Sequence, residues 1–139
     1  MQTLRRVFHW LHFVAACLVV VGVFLQVYLA AGQLFGTDSL DDHRDLGWMV
    51  HNFEVAVFVT ALVAWLPRAD IGWSVALVVL GTAQVLLSEA DRWVGAIHGV
   101  GALVVLIVAS IIVHRDLRGL GLKHGGGAGA GAAPPPPLP

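Results

Sequence analysis

The sequence predicts an all-α fold, an antiparallel bundle of four transmembrane helices built as two parallel two-helix repeats. Composition is the first reason. Of 139 residues, 58% are hydrophobic and 12% are charged. A soluble domain of this length has too little interior to hide that much apolar surface. Patterning is the second, because the apolar residues fall in four long stretches. The third is that lipid offers the backbone no hydrogen bonds, so a spanning segment must satisfy its own, and a helix does so. The lipid bilayer is thus the first partner. Soluble enzymes are excluded, and nucleic acid is not an expected partner at a formal charge of −1. Cys17 is the single cysteine, so no intramolecular disulfide or multi-cysteine metal site is available.

Each span follows from its boundaries. The bundle is expected over residues 1–118, with spans at about 7–31, 46–66, 71–88 and 93–114. A bilayer core of ~30 Å needs ~20 helical residues. The first stretch, Val7 to Ala31, follows Arg5 and Arg6, a basic start that a signal peptide would share. Its apolar run exceeds the ~7–15 residues of a signal core, so it reads as a span. The loop Gly32 to Asp42 ends in Asp41 and Asp42, helix-capping residue types. Span two carries one acid, Glu54. Pro67 to Asp70 leads to span three and Glu89 to Arg92 to span four, with Asp70 and Asp91 as further expected caps. Links this short make neighbouring helices antiparallel.

The basic residues predict direction. Arg5, Arg6, Arg68, Arg115, Arg118 and Lys123 fall on one side and only Arg44 and Arg92 on the other. The positive-inside rule then places both termini on the cytoplasmic side of the membrane. Trp10, Trp65 and Trp73 near one face and Trp48 and Trp93 near the other fit interfacial belts. Residues 119–139, rich in Gly, Ala and Pro, read as a flexible cytoplasmic tail ending in a short polyproline II segment.

Two segments repeat in order. Leu25-Gln26-Val27 in span one matches Ala83-Gln84-Val85 in span three, and each glutamine precedes a histidine near the next span, His43 and His98. Spans one and three run the same way, so the halves would be related by an axis along the membrane normal. Such an axis makes His43 and His98 face each other. On a helix, His43, Gly47, Val50, Glu54, Phe58 and Ala61 share one stripe, and His98, Gly101, Ala102, Val105 and Ala109 another. Gly47 and Gly101 leave room for a flat group or a close helix. Two histidines are too few for a lone metal ion. They suffice for haem, where the porphyrin supplies the other nitrogens.

The segment Arg6-Val-Phe-His9-Trp-Leu, the His43-Arg-Asp-Leu-Gly47 motif and His98 early in span four resemble bacterial b-type four-helix membrane cytochromes. The His-Arg pair at the start of span two also resembles one half of haem A synthase. Over about residues 4–118 the chain resembles a family of small, uncharacterised actinobacterial four-span membrane proteins. The cytochrome resemblance implies haem b, with His43 and His98 as iron ligands, and electron transfer near the outer face. It also implies a second haem between span one and the inner part of span four. His98 and His114, 16 residues apart, lie about 160° apart around the helix and cannot serve stacked haems from one face. His51 matches the depth of His98 better than His43 does, and stands as the alternate ligand. For Glu54 the candidate partners are Gln84, Thr60, His51 and Ser110, in either a proton-accepting or a structural role. Two other functions stay open: a non-catalytic accessory or assembly subunit of a larger respiratory membrane complex, or a haem-modifying enzyme that restores eight helices as a homodimer. An electron carrier or accessory subunit is the more natural reading than an enzyme.

Overall fold

The computed structural model describes residues 1–36, 40–88 and 92–122. It contains four helices: α1 (Gln2–Leu34), α2 (Leu40–Val63), α3 (Arg68–Ser88) and α4 (Arg92–Gly119). Each is long and apolar enough to cross a bilayer, with mean hydropathy of 2.5, 1.5, 1.8 and 2.6 in order. This is a multi-pass membrane protein. Its outward residues, such as Val21, Phe24, Val79, Val100 and Ile107, are large, apolar and exposed. They face the position of lipid.

Helix ends differ from the spans expected from hydropathy, because the helices run past the apolar core. α1 includes Arg5 and Arg6, and α4 runs to Gly119. Asp41, Asp42 and Asp70 sit inside the first turns of their helices rather than at the caps. There they still favour the positive helix N-terminus. Asp91 and residues 123–139 of the expected tail lie outside the described residues. α2 stops at Val63, short of the expected Leu66. Trp65 adopts a left-handed φ of 53°. Leu66 N–H then bonds the Ala61 carbonyl at 3.1 Å, and Trp65 N–H the Leu62 carbonyl at 3.0 Å. This is the Schellman ending that normally has glycine at the turn. α4 closes the same way at Gly121, where φ is 73°. At α2 the Arg5 side chain donates to the Ala64 and Trp65 carbonyls at 3.2 and 3.0 Å, tying α1 to the turn.

The helices form a square. α1 packs on α2 and α4, and α3 on α2 and α4, while no Cα atoms of diagonal helices approach within 8 Å among the described residues. The internal repeat reappears in what is buried. Ala16, Val19, Val23 and Gln26 on α1 match Ser74, Leu77, Gly81 and Gln84 on α3, always 58 residues on. His43, Val50, Glu54, Val57 and Ala61 on α2 match His98, Val105, Ala109, Ile112 and Asp116 on α4, always 55 residues on. On α2 it is Val57, not the expected Phe58, that is fully buried. Trp73, partly buried, packs against the core.

Gly22 permits the tight α1–α2 contact, since a Cβ there would meet Val50 Cγ2 at 2.4 Å. Gly22→Val should therefore lower the unfolding temperature in detergent, at a cost of about 1–3 kcal/mol. Val50→Ala in the same chain should restore part of the loss, measured as a double-mutant cycle. Additive effects would mean that the two positions do not touch.

Candidate functional site

At one end of the bundle the glutamine–histidine repeat becomes a built site. The rings of His43 and His98 meet edge to face across the diagonal, with centroids 6.1 Å apart and planes at 72°. His43 Nδ1 is 3.2 Å from the Gln26 backbone carbonyl, and His98 Nδ1 is 3.0 Å from that of Gln84. A carbonyl can only accept, so Nδ1 carries a proton in both rings, and in the neutral ring Nε2 keeps its lone pair. Each half of the repeat thus fixes one histidine by the backbone of the preceding helix.

The glutamine side chains complete the arrangement. Gln26 Nε2 donates to the His43 carbonyl at 2.9 Å. A Cβ on Gly47 would lie 3.0 Å from Gln26 Nε2, and one on Gly101 only 2.0 Å from Gln84 Nε2. The space that the two glycines were expected to leave for a flat group is therefore taken by the glutamine amides. Both amide oxygens, Gln26 Oε1 and Gln84 Oε1, are buried with no hydrogen-bond partner in the structure. They lie beside a cavity of about 390 Å³ that His43, His51, Glu54 and His98 also line. Its size falls in the range of small-molecule pockets.

Glu54 is 2% exposed and accepts from His51 Nδ1 at 2.9 Å. The other candidates do not reach it. Thr60 bonds the Ala56 and Val57 carbonyls of its own helix, and Ser110 is exposed. Gly81 makes room for the carboxyl, since a Cβ there would lie 1.5 Å from Glu54 Oε2. The ring contact of His51 is with Trp48, at 6.3 Å. Geometry thus pairs His43, not His51, with His98.

The opposite end holds a cluster that the sequence pattern did not lead us to expect. His12 and Asp116 are 1% and 3% exposed. His12 Nδ1 is 2.7 Å from Asp116 Oδ2, and His9 Nε2 is 3.0 Å from Asp116 Oδ1. His12 Nε2 is 3.1 Å from Ser74 Oγ. One signal was present: Asp116 follows His98 by five turns of helix and so shares its inward face. A second haem at this end would need a ligand on α4 facing His9 and His12, and the α4 residue that meets them is Asp116.

Residues 26–90 match the model of a family of unknown function, DUF6220. The match covers just under half of the chain. It begins at Gln26 and takes in His43, Glu54 and Gln84, but ends before α4. No curated protein and no solved structure matches the chain. Among the described residues, no group of three or more His, Cys, Asp or Glu side chains could hold a metal ion.

Glu54→Gln should fold nearly as well as the native chain, because an amide can still accept from His51. Glu54→Leu should cost about 1–3 kcal/mol by leaving the imidazole N–H without a partner. Thermal unfolding in detergent distinguishes the two, and equal stability would mean that the His51 bond contributes nothing.

Proposed function

We propose that this protein binds one haem b through His43 and His98 and exchanges electrons at the face of a bacterial plasma membrane where those residues lie. One observation carries the reading. The two imidazoles are already about as far apart as a pair sharing an iron, since two metal–nitrogen bonds of ~2.0 Å put ring centroids about 6 Å apart; from the edge-to-face contact one ring turns to aim its Nε2 at the metal. Each ring also donates Nδ1–H to a carbonyl, the usual second contact of a ligating histidine. A lone metal ion would need further ligands, whereas a porphyrin brings its own. The residues fit the group if the Gln26 and Gln84 amides swing off Gly47 and Gly101, and their unpartnered oxygens tie them weakly where they stand.

Haem b would supply a one-electron iron couple. The chain's own part is to hold both imidazoles in the neutral tautomer and raise their basicity through the carbonyl bonds. Val23, Val27, Val50 and Val105 wall the cavity with apolar surface, which tunes a haem potential. With both ligands at one end, electrons would be exchanged there and not carried across the bilayer. The distribution of basic residues supports placing the start of α1 and the end of α4 on the cytoplasmic side.

A second reading has its own observation. The glutamine amides already fill the space over both glycines, so the histidine–glutamine clasp is complete as a purely structural lock. Apart from the two amide oxygens, the clasp packs without a bound group, which favours a non-catalytic accessory or assembly subunit of a larger membrane complex.

A visible spectrum of the purified protein separates the readings. A Soret band that sharpens on reduction is expected. His98→Ala should abolish haem retention, and His43→Ala should abolish it or leave a high-spin iron, while His114→Ala changes little. Loss of the spectrum in His51→Ala with His43→Ala intact would make His51 the ligand. A colourless protein reconstituted with haem, or indifference to all three substitutions at His43, His51 and His98, would leave the accessory-subunit reading.

For orientation, an impermeant thiol reagent applied to whole cells should label Asp41→Cys and not Leu122→Cys, both in a Cys17→Ser background. The opposite pattern would invert the topology.

A further inference from the structure

The cluster of His12, Asp116, His9 and Ser74 lies far from the histidine–glutamine site. His12 and Gln26 are 14 residues apart on α1, about 21 Å of helical rise. Between the two ends, Ala16, Val19, Val57 and Leu77 are 0% exposed and Ile112 is 2% exposed. Among the described residues, this apolar layer separates the cluster from the polar groups of the other end. On its own side the cluster continues through His9, 19% exposed, into a cleft lined by Arg5, Arg6, Arg115 and Arg118.

Hydrogen-bond accounting defines what the cluster holds. Ser74 Oγ is 2.9 Å from the Asp70 carbonyl and 3.1 Å from His12 Nε2. When the hydroxyl donates to the carbonyl, its oxygen can only accept from His12, so Nε2 carries a proton. A second proton must then lie between His12 Nδ1 and Asp116 Oδ2, or two lone pairs would face each other at 2.7 Å. That arrangement is an imidazolium facing a carboxylate, or equally a neutral imidazole facing a carboxylic acid. Removing one proton leaves a second arrangement that is just as well bonded. Nδ1–H donates to Asp116, and the Ser74 hydroxyl turns from the Asp70 carbonyl to donate to Nε2. No heavy atom has to move between the two.

We propose that His12, Asp116 and Ser74 form an internal site that binds one exchangeable proton, open through His9 to the membrane face where α1 begins and closed to the other. Taking up the proton changes the cluster's net charge from −1 to 0, and the proton comes from and returns to water at that face. His9 keeps its own N–H bond to Asp116 Oδ1 in both forms.

Charged and titratable groups face the cluster from three of the four helices. α1 contributes Arg5, Arg6, His9 and the Cys17 thiol, and α4 contributes His114, Arg115 and Arg118. α3 contributes Asp70, which pairs with Arg115, and the exposed Arg68. The last turn of α2, Ala61-Leu62-Val63, carries no titratable group. An isolated buried carboxylate would be costly among apolar helices. Here His9, His12 and the arginines of the cleft offset that cost.

The proposal stands apart from haem binding and is tested without it. Protein in lipid nanodiscs is titrated between about pH 9 and pH 4 and followed by infrared difference spectroscopy and by nitrogen NMR of labelled histidines. One single-proton step is expected that disappears in Asp116→Asn and in His12→Gln and persists in Glu54→Gln. Ser74→Ala keeps both ionisable groups but removes the acceptor that the protonated ring needs more than the neutral one. It should lower the midpoint by about one pH unit, a roughly tenfold loss of proton affinity. His12 remaining imidazolium throughout, as a fixed ion pair would, overturns the proposal. So does a step that survives both Asp116→Asn and His12→Gln. Should those two variants fail to fold, an unmoved midpoint in Ser74→Ala overturns it alone.

Discussion

Inside a bundle surrounded by lipid, a polar side chain can be satisfied only by its own helix or by another helix of the same bundle. That constraint shapes both ends of this protein. Among the described residues the diagonal helices do not approach closely through their backbones, yet each diagonal is bridged by a polar side-chain contact. His43 meets His98 across α2 and α4, and His12 meets Ser74 across α1 and α3. Between them, valine, leucine and isoleucine fill the axis. Polar contacts therefore set which helices lie opposite each other, and apolar packing sets how closely neighbours approach.

The repeat explains why the ends differ. At the His43 end the two halves keep the same chemistry: glutamine, histidine and glycine in each. Toward the other end the halves diverge. Where α4 has Asp116, α2 has Ala61, and where α3 has Ser74, α1 has Ala16. A two-helix pattern that repeats in only part of its lining gives a symmetric clasp at one end and an asymmetric charged cluster at the other. Glu54 is a second departure, since its counterpart is Ala109 and its room comes from Gly81 where α1 has Val23.

Much of this architecture is legible in the residues themselves. Hydropathy marks the number of helices, and the glutamine–histidine spacing anticipates that His43 and His98 meet. The helix ends are less legible, because hydropathy marks where the lipid core ends and not where hydrogen bonds stop. Trp65 in a left-handed turn could not be foreseen, since the position normally selects glycine. Gly47 and Gly101 are recognisable as gaps, but a gap does not say what fills it, and glutamine one helix away does. The Asp116 cluster is hidden for a simpler reason. An aspartate between two arginines at the end of an apolar run reads as interfacial, and only its angular position relative to His98 turns it inward.

The apolar layer of Val19, Val57, Leu77 and Ile112 has an electrical consequence. In a membrane under voltage, the field falls mainly across the medium of low polarisability, and in this protein that medium is the layer itself. One elementary charge moved across the whole potential changes energy by ~2.3 kcal/mol per 100 mV. A charge that changes at Asp116 lies on the near side of the layer and crosses little of that drop. A charge that changes between His43 and His98 lies on the far side and likewise crosses little. The layer thus separates the two polar ends as the dielectric of a capacitor separates its plates.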